Sequence, residues 1–130
     1  MNEIVKEWIQ KAEGDWRTAN REFGVDDDPN FDAVCFHAQQ CIEKLQKAAL
    51  IACNTIPPKT HDLAELNGRL SSVVGDWECN IRDLRYLTRA AVEYRYPGES
   101  ADHEEAAQAI QICNRVRRQL LDMLNREFSE

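Results

Sequence analysis

Polar side chains that could do chemistry line one edge of the segment FHAQQCIEKLQK, residues 36–47. Apolar residues in and around this segment recur at steps of three and four, which predicts an amphipathic helix with one face in a core. Gln39, Gln40 and Lys44 lie beside that face. Buried amides and carboxylates need hydrogen-bond partners, for which the arginines of a later helix are candidates. These side chains are therefore solvated or hydrogen-bonded, and they are candidate contacts to a nucleotide or a protein partner.

A second set of candidate residues is the arginine cluster Arg82, Arg85, Arg89 and Arg95. The first three are spaced to share a helical face, with Tyr86 close by. Bidentate guanidinium contacts suit phosphate, and a tyrosine ring can stack on a base, so the cluster predicts local nucleotide binding. Ion pairing with the 23 acidic residues of this chain is the alternative.

Net charge and cysteine usage exclude several classes of function. The formal net charge of −7 excludes a protein that coats nucleic acid by bulk electrostatics, so any such contact must be local. The five cysteines are odd in number and show no Cys-x-x-Cys spacing. That usage is typical of reduced core thiols rather than of a disulfide framework or a zinc site. The sequence predicts neither a metal nor a cofactor.

The candidate residues must be positioned by helices. The sequence predicts three helical segments before the glycine at position 75. The first covers residues 2–23 and stops at Gly24 in a left-handed conformation. Asp28 caps the second, Pro29 is its first residue, and it ends before Pro57-Pro58. Thr60 caps a short third helix over residues 61–70.

Two further segments complete the predicted fold. The fourth restarts at Gly75-Asp76, runs through Trp77 and stops at residues 95–98, RYPG. Asp102 and Glu105 have the spacing of a capping box that opens a fifth helix. Because the connections are short, consecutive helices should pack antiparallel. The sequence thus predicts an all-α, up-and-down antiparallel bundle of about five helices, as one domain over residues 1–130.

Targeting and membrane segments are not expected. The sequence has no apolar run near the roughly twenty residues of a membrane span. Its start, MNEIVKE, carries acids where a signal peptide would be basic and then apolar. We therefore expect a cytoplasmic protein without membrane contact.

Three short motifs occur in a fixed order along the chain. They are FHAQQ at residues 36–40 with Glu43 and Lys44, PKTHDL at residues 58–63, and RYP at residues 95–97. Together they resemble the HEPN family, the higher eukaryotes and prokaryotes nucleotide-binding domains, over nearly the whole chain. The resemblance implies an all-helical bundle, a homodimer, and pairing with a minimal nucleotidyltransferase in a two-component toxin–antitoxin system.

The resemblance also implies a metal-independent ribonuclease as a second hypothesis. Many HEPN ribonucleases carry an arginine and, a few residues later, a histidine, contributed by both protomers of a dimer. Histidine would move the proton of the attacking 2′-hydroxyl, and arginine would stabilise the charge growing on phosphate. Here Arg95 and His103 are the candidate pair, but seven residues separate them, more than the family pattern has. His103 also lies at a helix N-terminus, which disfavours its protonated form.

Our preferred interpretation is a non-catalytic module that binds a nucleotide or RNA and a protein partner. Its candidate contacts are Gln39, Gln40, Lys44, Arg82, Arg85, Arg89 and Arg95. A ribonuclease that uses Arg95 and His103 across a dimer is the alternative, and a helical scaffold without a ligand is the third. His61 and Asp62 are explained by capping of the third helix.

Overall fold

The computed structural model describes residues 1–128, which form five helices and no strand. In chain order the helices are α1 (Glu3–Phe23), α2 (Phe31–Ala52), α3 (Leu63–Val73), α4 (Ile81–Glu93) and α5 (His103–Phe128). The predicted all-α, up-and-down antiparallel bundle is confirmed. Within the described part of the chain, no helix has both the length and the apolar character to cross a bilayer.

The central helix is α2, which packs against all four others. Its apolar and small residues cover most of its circumference, so neighbours can enclose it on several sides. Ile42, Leu45 and Leu50 are fully buried in a core shared with residues of the other helices. Because α2 is enclosed in this way, the amide and carboxylate groups along its edge need partners inside the protein.

The starts of α2, α3 and α4 differ from the sequence-based expectation, and so does the conformation of the residue that ends α1. Asn30, not Asp28, caps α2 by accepting a hydrogen bond from the Ala33 backbone N–H at 3.0 Å. Asp28 instead adopts a left-handed φ of 52°, which turns the chain before the helix begins. Gly24 ends α1 with a φ of −87°, and its N–H bonds to carbonyls of the last turn, so no left-handed residue is required there.

The start of α3 also lies later than expected. Asp62, not Thr60, is the N-cap, and its carboxylate accepts from the N–H groups of Ala64 and Glu65. Thr60 supports that cap by accepting from the Asp62 N–H at 3.1 Å. His61 therefore precedes the helix, and its side chain is available for another partner.

A buried tryptophan precedes α4, and a capping box begins α5. Trp77 lies before α4 rather than in it, because Asn80 caps the helix. The indole of Trp77 is buried and donates to Asn67 Oδ1 at 2.8 Å. At the start of α5 the expected capping box is confirmed, since Asp102 and Glu105 exchange two side-chain-to-backbone hydrogen bonds of 3.0 and 2.8 Å.

Candidate functional site

A buried carboxylate on α2 organises the polar edge that the sequence singled out. Glu43 Oε1 accepts from Gln39 Nε2 at 3.0 Å and lies 2.9 Å from His61 Nδ1. Its other oxygen accepts from Lys47 Nζ at 2.9 Å. Gln39 and Glu43 are only 2% and 4% exposed, so these hydrogen bonds are what makes their burial tolerable. Gln40 joins the group by donating to Gln39 Oε1 at 2.8 Å.

The prediction that the arginines of the fourth helix are the partners of this network is wrong. The partners come from α2 itself and from the segment before α3. The reason is the orientation of α4: Leu84, Leu87 and Ala91 face the core, which places the arginines of that helix on the solvent side.

The protonation state of Glu43 follows from its surroundings. Burial acts to raise the pKa of the carboxyl, but hydrogen bonds from Gln39, Lys47 and His61 outweigh burial and hold the pKa below 4.5. Glu43 is therefore a carboxylate at neutral pH. An ionised acceptor orients the His61 imidazole with its Nδ1–H toward Glu43.

This network forms one wall of a cleft of about 230 Å³. The other walls come from α4 and from the residues just after it. The cleft is lined by Phe36, Gln39, Gln40, His61, Thr88, Ala91, Val92 and Arg95. Thr88 joins α4 to the start of α3, because its hydroxyl oxygen accepts from the Leu63 N–H at 3.1 Å.

Arg95 is the charged side chain at the mouth of the cleft. It lies two residues beyond the end of α4 and is exposed. Its guanidinium makes no hydrogen bond or ion pair with any side chain of residues 1–128. An unpaired guanidinium that borders a cleft is well suited to a phosphate or carboxylate from a ligand.

Lys44 lies away from this cleft. Its Nζ donates to Asp15 Oδ2 at 2.6 Å, and His37 Nδ1 lies 2.8 Å from the other carboxylate oxygen. Asp15 is 9% exposed, so both partners help to balance its buried charge. This cluster joins α1 to α2, and it accounts for Lys44 and His37 by structure.

Arg82, Arg85 and Arg89 form a separate surface on α4. With Tyr86 they line a shallow groove, and Arg89 lies over the Tyr86 ring at 5.8 Å from its centroid. All three arginines are on the solvent side of the helix, and none makes an ion pair within residues 1–128. We call this group the α4 arginine surface. Arg95, although near it in sequence, belongs to the cleft.

His103 is the first residue of α5 and packs against aromatic rings. Its ring centroid lies 5.1 Å from that of Phe23 and 5.6 Å from that of Phe31. It is not among the residues that line the Arg95 cleft. Within one protomer, the structure therefore places Arg95 and His103 in different surroundings.

His61 and Phe36 line the cleft although the sequence pattern did not select them as site residues. From the sequence, His61 is explained by capping of the third helix. In the structure the residue that caps α3 is Asp62. The sequence does contain a signal for the contact between Glu43 and His61. Glu43 lies on a helix face that becomes buried, and a buried carboxylate needs hydrogen-bond donors from outside its own helical turn.

The cysteines are free thiols, and three of them are buried. Cys35, Cys41 and Cys113 are buried, and burial raises the pKa of the Cys35 thiol to about 12. Within residues 1–128, His, Cys, Asp and Glu side chains form no group of three or more that could hold a metal ion.

The comparison with known families decides where this chain belongs. The HEPN domain model matches residues 5–123. This chain belongs to the HEPN family. The match covers α2 to α4 and most of α1 and α5, so it includes every helix that forms the cleft. HEPN membership supports a nucleotide-binding or ribonuclease-type module.

A solved structure shares this HEPN fold. The crystal structure of TT1696 from Thermus thermophilus is similar to this chain with a TM-score of 0.76 at 20% sequence identity. The alignment covers 92% of this chain and 98% of that chain. At this identity the likeness shows the fold alone. The curated proteins give no significant match.

The motifs that carry the HEPN resemblance meet in the cleft. Gln39 and Gln40 come from the first motif, His61 from the second and Arg95 from the third, and all four line it. Helix packing thus gathers residues from three separate parts of the sequence around one opening.

Proposed function

We propose that this HEPN domain is a non-catalytic, cytoplasmic module that binds a nucleotide in the Arg95 cleft and pairs with a minimal nucleotidyltransferase in a toxin–antitoxin-like two-component system. One observation carries the nucleotide part of the proposal. The three motifs converge on a cleft whose rim holds an unpaired guanidinium, while the buried polar groups behind it are hydrogen-bonded to one another.

The cleft offers different contacts to the parts of a nucleotide. Arg95 can bind phosphate oxygens in a bidentate manner. Phe36, Ala91 and Val92 supply apolar surface for a base or ribose. Gln40 uses its amide nitrogen within the protein, so its carbonyl oxygen can accept from an N–H group of a base.

The seven residues between Arg95 and His103, more than the family pattern has, support the non-catalytic part of the proposal. A ribonuclease built from Arg95 and His103 across a dimer predicts that the protein cleaves RNA in the presence of EDTA, and that Arg95→Ala and His103→Ala each abolish cleavage. Our proposal predicts that the wild-type protein leaves the RNA intact. Cleavage that both variants lose would replace our proposal with the ribonuclease.

Arg95→Ala is expected to weaken mononucleotide binding at least tenfold, because about 1.4 kcal/mol or more is lost with a charge-assisted phosphate contact. Isothermal titration calorimetry with AMP, GMP, CMP and UMP measures the effect. Arg69→Ala is the matched control, since Arg69 is an exposed arginine on α3 outside the cleft, and it should bind like wild type. Absence of binding by wild type, or equal binding by Arg95→Ala, would contradict the proposal.

We place the contact with the nucleotidyltransferase on the α4 arginine surface. Three unpaired arginines on the solvent side of one helix suit an acidic patch on a partner protein. Arg85→Glu should therefore abolish co-elution with a nucleotidyltransferase encoded beside this protein, while Arg69→Glu should not. Equal co-elution of the two variants would remove the α4 surface from the proposal. The homodimer stays a prediction, which sedimentation velocity would measure.

A further inference from the structure

His61 has one imidazole nitrogen bound to the protein and one that faces outward. Nδ1 lies 2.9 Å from Glu43 Oε1, whereas Nε2 has no partner within residues 1–128. The side chain is 77% exposed, while that of Glu43 is 5% exposed. The imidazole is thus bound to the buried network through Nδ1, and His61 is one of the residues that line the cleft.

The charge of Glu43 determines whether Nε2 of His61 donates or accepts a hydrogen bond. Because Glu43 accepts from Nδ1–H, a neutral His61 has a lone pair at Nε2 and cannot donate to an anion there. A protonated His61 donates from both nitrogens. A fully ionised phosphate that approaches Nε2 can therefore form a hydrogen bond only after the imidazole takes up a proton from solvent.

The charged groups around His61 favour an anion between the His61 and Arg95 side chains. Glu43 on α2 stabilises the imidazolium, and Lys47 offsets part of that effect by bonding to the other oxygen of Glu43. Arg95 borders the same cleft and opposes a second positive charge until an anion is present. Asp62, next to His61 in the chain, uses its carboxylate to cap α3.

The N-terminus of α3 does not compete for the anion. The Leu63 N–H donates to Thr88, and the N–H groups of Ala64 and Glu65 donate to Asp62. These backbone donors are already used, so side chains must supply the contacts to a ligand.

We propose that His61 and Arg95 together bind the terminal phosphate of a nucleoside monophosphate, and that binding protonates His61. This inference rests on the proposed nucleotide function and specifies its ligand. Two positive groups match a phosphomonoester, which carries a charge of about −1.5 to −2 at pH 7, better than they match the single charge of a phosphodiester. The proton comes from solvent and returns to it when the ligand leaves.

Calorimetric titration with AMP at pH 7.5, in two buffers of different ionisation enthalpy, measures proton uptake directly. We expect uptake of about one proton per AMP bound, because a hydrogen bond from Nε2 of His61 to an ionised phosphate requires the imidazolium form. His61→Gln keeps an amide donor for Glu43 but cannot be protonated. It should bind AMP about five- to tenfold more weakly, the loss of one charge-assisted hydrogen bond, and should take up no proton.

His37→Gln is the matched control. His37 is also bound through Nδ1 to a carboxylate, that of Asp15, but it lies outside the cleft lining. It should bind AMP with wild-type affinity and proton uptake. Adenosine, which lacks phosphate, should bind wild type and His61→Gln alike and without proton uptake.

The outcomes separate this inference from the function on which it rests. AMP binding without proton uptake, or wild-type affinity in His61→Gln, would overturn the phosphate role of His61 and leave nucleotide binding in place. Tighter binding of the dinucleotide ApA than of AMP, with equal proton uptake, would overturn the choice of a phosphomonoester. Binding of neither AMP nor adenosine to wild type would overturn both proposals.

Discussion

Glu43→Gln is expected to lower the free energy of unfolding by about 3 kcal/mol, the usual cost of removing one partner from a buried charge pair. The Glu43 carboxylate interacts with Gln39, Lys47 and His61. A glutamine keeps the shape but places an amide N–H₂ against groups that donate. It also leaves the ammonium of Lys47, whose side chain is 13% exposed, without its counter-charge. Urea denaturation at pH 7 measures the change through the transition midpoint.

The pH dependence of the same variant provides an independent check. The folded-state pKa of Glu43 lies below 4.5, so the stabilisation by its carboxylate is fully present above pH 4.5 and is lost as pH falls through the folded-state pKa. The difference in stability between wild type and Glu43→Gln should therefore shrink in acid. Glu65→Gln, a surface change on α3, should stay within about 0.5 kcal/mol of wild type. A Glu43→Gln effect as small as that of Glu65→Gln would contradict the role assigned to the network.

Arg117→Met is expected to cost about 2 kcal/mol, because Arg117 joins α5 to α1 by two kinds of contact. Its guanidinium donates two hydrogen bonds to the Glu13 carboxylate, at 2.7 and 2.8 Å. It also lies over the Trp16 ring, 3.8 Å from the centroid. Methionine retains the apolar stem but makes neither contact. Thermal and urea denaturation of the purified variant would measure the loss.

Arg118→Met is the control for Arg117→Met. Arg118 is the next residue on α5, is exposed, and makes no ion pair within residues 1–128. Its replacement should change stability by about 0.5 kcal/mol or less. Equal losses for the two variants would show that the link between α5 and α1 does not depend on Arg117.

The fold could be predicted from the sequence because its helices are long and strongly periodic. Leu84, Leu87 and Ala91 recur at helical spacing on α4, and all three are buried as that spacing requires. Helix starts were harder to predict, because several nearby residues have side chains that can cap. Asp28 and Asn30 are both good caps by type, and only the turn that the chain makes at Asp28 selects Asn30.

The cleft could be predicted only in part. The motifs identified Gln39, Gln40 and Arg95, which lie around one opening. The contact between Glu43 and His61 could not be deduced from their spacing in the sequence. It depends on where the segment between α2 and α3 passes over α2. That path brings His61, rather than an arginine of α4, to Glu43. Sequence proximity likewise groups Arg95 with Arg89, although the end of α4 separates their surfaces.

The most direct test of the central claim, that the Arg95 cleft is the nucleotide site, is an NMR titration of the ¹⁵N-labelled protein with AMP. We predict that the backbone amide signals that shift are those of residues 39–40, 61–63 and 91–95, which lie at or beside the cleft. Shifts confined to Arg82, Arg85, Tyr86 and Arg89 on the α4 arginine surface, or no shifts at saturating AMP, would contradict the account.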